Sequence, residues 1–260
     1  MTILDELASY AKERTRINKE KISLQTLRAD AEKMASSGFV FEKALEKEGI
    51  SFICECKKAS PSKGIIAEDF PYLQIAKEHE AAGADCISVL TEPKWFLGSD
   101  EYLRSIASEV SIPCLRKDFT VDEYMIYEAK TLGASAVLLI CSILSPQQLK
   151  EYIEVSDSLG LTAIVETHNE AEVYEAIAAR ARVIGVNNRN LKDFSVDTNN
   201  SANLRKLVPS NVLFIAESGI KKPEDVDSLR KIGVDAVLVG ETLMRAADKK
   251  AMLNSLRGNV

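Results

Sequence analysis

Five apolar runs of this chain each close on charged or amide side chains. Glu55 and Lys57 follow Ser51-Phe52-Ile53, Lys117 follows Ile112-Pro113-Cys114-Leu115, and Glu166 follows Ala163-Ile164-Val165. Asn187 follows Val183-Ile184-Gly185-Val186, and Glu217 follows Leu213-Phe214-Ile215-Ala216. Lysines and glutamates that share a partly desolvated site shift one another's pKa values, which equips such a set for general acid and base catalysis near neutrality. Each run leads into a loop and then a helical pattern, and a (β/α)8 barrel assembles its active site from the C-terminal ends of several strands in this way. A structural ion-pair network is the alternative. For three carboxylates (Glu55, Glu166, Glu217) and two lysines (Lys57, Lys117) at one mouth it would be a poor return on their desolvation.

A second chemistry is written in the loops. Glu217-Ser218-Gly219-Ile220 and Val239-Gly240-Glu241-Thr242 follow the last two strand patterns, where barrels of this kind hold phosphate on backbone N–H groups and a helix terminus. Gly219 and Gly240 would let the backbone approach the anion, although tight turns also use glycine. The first loop, Lys57-Lys58-Ala59-Ser60-Pro61-Ser62-Lys63-Gly64, offers the Ser60 hydroxyl and the Lys63 charge to the same phosphate. A solvated basic loop would explain Lys58 and Lys63, but not Glu55 and Lys57, which share one face of a buried strand.

Other reactive residue types read as packing. The cysteines Cys54, Cys56, Cys86, Cys114 and Cys141 lie in or beside strand patterns and are expected to be buried thiols. If Glu55 and Lys57 point into the barrel, Cys54 and Cys56 point outward to the helices, and no metal site is expected. His79 is expected on an exposed helix face, and His168 at the mouth in either a substrate or a loop role. Trp95 and Phe96, after the second strand, would wall an aromatic ligand or, for Trp95 equally, pack within their own loop.

These side chains need a scaffold. From Ser51 onward strand and helix patterns alternate, with strands expected at 52–57, 86–91, 114–117, 136–140, 162–166, 183–187, 212–217 and 236–240. That alternation calls for a parallel sheet with right-handed crossovers. Gly83, Gly133, Gly160 and Gly233 are placed to end the preceding helices. Ahead of the barrel, helices are expected from Thr2 to near Arg16, from Ser23 with Leu24, Leu27, Ala31 and Met34 on one face up to Gly38, and from Phe41 to Glu48. The outer ring has no place for them, so they must cap an end or cross the mouth. The fold class is therefore an α/β (β/α)8 TIM barrel, a single domain over 1–260 with 1–50 as a helical extension.

Composition narrows the function. The 260 residues carry a net charge of −6, with 46% hydrophobic and 28% charged, which argues against general nucleic-acid binding and leaves room for a local basic mouth. No apolar run is long enough to span a bilayer, and the acidic amphipathic start is unlike a secretory signal, so a cytoplasmic location is expected.

In combination the segments resemble the indole-3-glycerol phosphate synthase family. The matching stretches are K-K-A-S-P-S-K-G from Lys57, I-S-V-L-T-E from Ile87, L-R-K-D-F from Leu115, V-L-L-I from Val137, V-E-T-H from Val165, G-V-N-N-R-N-L from Gly185, E-S-G-I from Glu217 and G-E-T-L-M from Gly240. The resemblance implies a monofunctional carboxy-lyase of tryptophan biosynthesis, needing no cofactor. It closes the ring of 1-(2-carboxyphenylamino)-1-deoxyribulose 5-phosphate with loss of carbon dioxide and water. Carried onto this sequence, Lys117 is the acid on the substrate carbonyl, Glu166 acts in dehydration, and Lys57 binds the departing carboxylate, with either lysine eligible for the later proton. Glu55, Asn187 and Glu217 hold hydroxyls and the acid–base network, with Arg189 on the anthranilate side. Ser60, Ser218, Gly219, Gly240 and the Glu241 backbone surround phosphate, and Phe96, Phe119, Leu138 and Leu191 form the aromatic slot. The implied partner is a small phosphorylated substrate, acted on by a monomer or weak homo-oligomer. Thr167 beside Glu166 departs from the usual apolar residue. A phosphosugar isomerase would need fewer of these acids and bases, and a silent phosphate-binding barrel would lack one of Lys57, Lys117 or Glu166. All three are present.

Overall fold

In the computed structural model, which describes residues 2–190 and 194–258, eight parallel strands close into a barrel. They are β1 (Ser51–Cys56), β2 (Cys86–Leu90), β3 (Cys114–Lys117), β4 (Ala136–Ile140), β5 (Thr162–Thr167), β6 (Val183–Asn187), β7 (Leu213–Glu217) and β8 (Ala236–Val239). Each pairs with the next in sequence, and β8 returns to β1 through Ser51 beside Ala236 and Cys54 beside Val239.

Strand parity sorts the side chains. Ile53, Leu115, Ile164 and Ile215 belong to the apolar cluster inside the barrel, and two residues on each carries its polar residue at the mouth: Glu55, Lys117, Glu166 and Glu217. The alternate residues, including Cys54, Cys56, Val137, Val165 and Ala216, pack in the outer cluster beneath the helices. All five cysteines are buried and free, with Cys54 and Cys56 on the outward face as the alternation required.

The outer helices are α4 (Tyr72–Ala81), α5 (Asp100–Glu109), α6 (Glu123–Thr131), α7 (Pro146–Ser158), α8 (Glu170–Ala178), α9 (Asn199–Arg205), α10 (Pro223–Lys231), α11 (Glu241–Arg245) and α12 (Lys249–Arg257). Local chemistry sets their limits. Ser145 and Gln148 form a capping box at the start of α7, with Pro146 in the first turn. Gly83, Gly133, Gly160 and Gly233 take φ of +94°, +88°, +71° and +74° where four helices end. Among the described residues, no helix is long and apolar enough to cross a membrane.

The amino-terminal helices α1 (Ile3–Lys21), α2 (Leu24–Lys33) and α3 (Val40–Leu45) divide their work between the two ends. Thr2 and Asp5 cap α1 reciprocally, at 2.7 and 3.2 Å. The helix runs beyond Arg16 to Lys21 because Arg16 pairs forward with Glu20 at 2.5 Å and back with Glu13 at 2.8 Å. Of its buried stripe, Leu4 and Leu7 lie at the mouth while Ala8 and Ala11 pack against Val121 and Met125. At the opposite end Phe41 and Leu45 of α3 join the interior cluster, and Glu42 anchors the plug through both oxygens to Arg182 at 2.9 Å. Removing a plug this large, as in Phe41→Ala, costs about 3–5 kcal/mol by analogy with other core aromatics.

Between them α2 lies along α6. It ends at Lys33 rather than near Gly38, and Met34, expected on its buried face, is 43% exposed. At Met34 the backbone turns extended, ψ 143°, so the helical periodicity that would have buried it no longer applies. The chain beyond is held down by the Lys130 ammonium donating to the Ala35 carbonyl at 2.8 Å.

Candidate active site

The mouth of the barrel opens into a cavity of about 420 Å³, within the range of small-molecule sites. It brings together Glu55, Lys57, Ser60, Phe96, Lys117, Phe119, Leu138, Glu166, Asn187, Arg189, Glu217, Ser218, Gly219, Gly240 and Glu241. Leu191 lies outside the described residues. The α1 residues Ile3, Leu4 and Leu7 cover the cavity from above, and their apolar surface helps keep water from its floor.

At the floor Lys117 is the centre of the charge arrangement. Its ammonium donates to Glu166 Oε2 at 2.8 Å and to Glu217 Oε2 at 3.1 Å. Burial alone would discharge the lysine, but Glu166 and Glu217 outweigh it and push its pKa up, so the group stays protonated. The two glutamates share this cation unequally. Burial raises Glu166, yet Lys117 together with His168 overcomes that and holds its carboxylate well below the ordinary range; Asn187 Nδ2 adds a hydrogen bond at 3.1 Å. Glu217 has the longer contact with Lys117, and its Oε1 is buried without a partner. Burial pushes its pKa up to about 7, with Glu166 adding to the rise and Lys117 opposing it. The floor therefore holds a charged acid, an ionised carboxylate, and a second carboxyl poised to take up or release a proton near neutrality.

Lys57 pairs with Glu55 beside them, and this contact explains Gly240. A Cβ on Gly240 would strike Glu55 Oε1 and lie 3.0 Å from Lys57 Nζ, so the glycine makes room for the ion pair. Its φ is −111°, so the room that this glycine leaves, rather than a left-handed backbone, is what a side chain would take away. Gly219 does need its conformation: φ is +89°, and a Cβ would meet Thr198 Cγ2 at 2.8 Å. Ser218 before it is also left-handed, φ +68°, at a cost of about 1 kcal/mol for a residue with a Cβ. Asn188 supports this loop. It is buried, donates to the Ser218 carbonyl at 3.1 Å, and accepts from the Ser201 amide and hydroxyl at 3.0 and 2.8 Å.

Around the phosphate-type loops lie Ser60, Ser62, Lys63, Lys221 and Thr242. The Glu241 carboxylate pairs with Arg245 at 3.1 Å and lies 3.8 Å from the Lys63 ammonium. Phe96 and Phe119 stand 6.0 Å apart with rings tilted 41°, and line the cavity together with Leu138. Trp95 is not part of the cavity wall. It packs edge-on against Tyr10 of α1 at 5.6 Å, with the Lys94 ammonium over its ring.

Several features lay beyond sequence reasoning. His79 is fully buried, against the expectation of exposure, because α4 turns Ile75, Ala76 and His79 inward onto β1 and α12. Burial holds its pKa down to about 4, and Lys249 adds to the effect. Asp118, next to Lys117, accepts from Arg14 of α1 at 2.6 Å and from the Thr91 hydroxyl at 2.6 Å. It thereby ties the covering helix to the strand that carries Lys117. The only signal for this was the charged run Arg116-Lys117-Asp118, whose alternate members face opposite layers. Among the described residues, no group of three or more His, Cys, Asp or Glu could hold a metal ion.

The family model for indole-3-glycerol phosphate synthase matches residues 4–256. The chain belongs to the indole-3-glycerol phosphate synthase family. It is 55% identical to the indole-3-glycerol phosphate synthase of Ruminiclostridium cellulolyticum over 99% of both chains. It is 49% identical to that of Lachnoclostridium phytofermentans over 98% of both. A solved 3-hexulose-6-phosphate synthase superposes with a TM-score of 0.66 at 16% identity, covering 81% of this chain and all of that one, and so shares the barrel alone. Within the indole-3-glycerol phosphate synthase family the cavity described above is the candidate site of ring closure.

Proposed function

We infer that the residues gathered at the barrel mouth carry out the synthase reaction of the family, with the roles that follow. The activity converts 1-(2-carboxyphenylamino)-1-deoxyribulose 5-phosphate to indole-3-glycerol phosphate, releasing carbon dioxide and water. The observation that carries the assignment of roles is the Lys117 ammonium, partly buried and held protonated between Glu166 and Glu217. Such a cation polarises a carbonyl oxygen and gives it a proton as charge develops.

The substrate's phosphate sits against Ser60, Ser218, Gly219, Gly240 and the Glu241 backbone, and its aromatic ring lies in the slot of Phe96, Phe119 and Leu138, with Leu191 assigned there from sequence. Lys57 receives the aromatic carboxylate. The ring carbon bearing that carboxylate bonds to the carbonyl carbon, and the carbonyl oxygen takes its proton from Lys117. Carbon dioxide then leaves and the ring regains its aromaticity. In the last step the new hydroxyl departs as water, taking a proton from Lys57 or Lys117 while Glu166 accepts one. Glu55, Asn187 and Glu217 hold the hydroxyls, the two glutamates return protons, and Arg189 lies on the anthranilate side. The unpartnered Glu217 Oε1 is a ready acceptor for a substrate hydroxyl.

The same reading makes residues 1–260 one domain with 1–50 as its extension, acting in the cytoplasm as a monomer or weak homo-oligomer. Its test is a fluorescence assay of the purified protein with this substrate, no metal added and chelator present. Indole product is expected in every case. Folded protein that binds the substrate without forming product would move the assignment to an isomerase or a silent barrel.

A further inference from the structure

His168 stands two residues beyond Glu166, its side chain 16% exposed, yet it does not line the cavity. Both of its ring nitrogens face carboxylates. Nδ1 lies 3.0 Å from Glu172 Oε2, and Nε2 lies 3.2 Å from Glu166 Oε1, an ion contact rather than a well-angled hydrogen bond. Ionised carboxylates only accept, and a neutral imidazole carries one N–H, so a neutral ring would turn a lone pair toward one of these oxygens. The imidazolium alone suits both contacts.

The far end of this bridge is fixed. Glu172 Oε2 also accepts from the His168 amide at 2.8 Å, and its Oε1 accepts from Asn169 Nδ2 at 2.8 Å. The Glu172 amide donates in return to Asn169 Oδ1 at 3.1 Å, at the cap of α8. From the α9 side Asn200 donates to the His168 carbonyl at 3.2 Å. On the cavity side the remaining charges are Lys117 and Glu217, beyond Glu166.

We propose that His168 is a positioning residue for the dehydration step, fixing the charge and orientation of Glu166 through an imidazolium bridge to Glu172. The proposal rests on the role given to Glu166 above. Lys117 holds one Glu166 oxygen; the other meets Asn187 and His168. Without the bridge that second oxygen keeps only a neutral amide, and the carboxylate becomes more basic and freer to turn. Burial lowers the imidazole pKa, but the contacts with Glu166 and Glu172 outweigh it and raise it to about 10, in line with the geometry.

The chain has two histidines, so ¹⁵N-histidine NMR of the whole protein reads the bridge directly. Both His168 nitrogens are expected to stay protonated through pH 8, with buried His79 as the neutral comparison; a neutral His168 tautomer at pH 7 overturns the proposal. In kinetics, His168→Gln is expected to lower kcat by about 10- to 100-fold, the usual range for such supporting contacts, with KM little changed. The acid limb of its pH profile moves to higher pH as Glu166 gains basicity. Glu172→Gln keeps an acceptor for Nδ1 without the charge, and is expected to lower the His168 pKa in the ¹⁵N spectra with a smaller loss in kcat. An unshifted acid limb in His168→Gln with normal kcat in both variants overturns the proposal, and if His168→Gln fails to fold, Glu172→Gln and the NMR decide it. Glu166→Gln separates the two failures. If it is inactive while the His168 and Glu172 variants are normal, only the positioning role is lost; if it is fully active, the role of Glu166 itself falls.

Discussion

Replacing Lys117 by methionine removes the positive charge at the cavity floor while nearly preserving its shape. The structure sets two consequences. First, the ammonium that donates to Glu166 at 2.8 Å and to Glu217 at 3.1 Å is also the proposed proton donor. Its loss should lower kcat by on the order of 10² to 10⁴, the range for a positioned proton transfer, with substrate binding kept. Second, two buried carboxylates are left facing each other. Breaking a buried pair costs about 3–5 kcal/mol when the remaining charge persists, but here proton uptake by Glu217, already near 7, limits the cost in acid. Acids whose folded pKa is raised hold full stability below their unfolded value, near 4.5, and lose it as pH climbs through the folded pKa. Each unit of rise removes about 1.4 kcal/mol once both groups are forced to ionise. Lys117→Met should therefore match the parent protein more closely at pH 5 than at pH 8. Urea unfolding at both values, beside the indole fluorescence assay at saturating substrate, measures both effects. A near-normal rate would remove Lys117 as the acid, and an equal stability loss at both pH values would refute the shared-cation reading of the two glutamates.

Other perturbations test neighbouring contacts. Gly240→Ala, whose Cβ would strike Glu55 and crowd Lys57, should keep the fold but cut kcat at least tenfold, because a 1 Å displacement at a site can cost more than that; a normal rate would mean the Glu55–Lys57 pair has room to move. Arg14→Ala frees Asp118 from α1 and should raise KM several-fold by loosening the cover on the cavity, as steady-state kinetics would show. Cys54→Ser should leave kcat nearly unchanged because its side chain packs in the outer cluster; a rate collapse with unchanged thermal unfolding would contradict that register. His79, neutral in the fold, holds its pKa near 4 against an ordinary 6.5, so stability present above 6.5 is lost as pH falls toward 4, by about 3 kcal/mol at most. Removing the ring in His79→Leu should flatten that part of the stability profile, and an unaltered acid slope would count against it.

Inward and outward positions on a strand follow from a period of two, a strictly local rule, so Glu55, Lys117, Glu166 and Glu217 were legible as mouth residues from the sequence, and Cys54 and Cys56 as packing residues. The alternation of strands with helices, and the glycines that end them, likewise made the barrel legible. What the sequence left undecided depends on distances between residues far apart in the chain. Arg14 meets Asp118 across 104 positions, and Lys117 reaches Glu217 across 100, so neither the latch on α1 nor the unequal sharing of one ammonium could be read locally. His79 is polar, and its place on an inward helix face follows from how α4 settles on β1 and α12. The division of the amino-terminal helices has the same origin. Their amphipathic stripes required burial, but only the closed barrel, with one open mouth for α1 and one open base for α3, decided where.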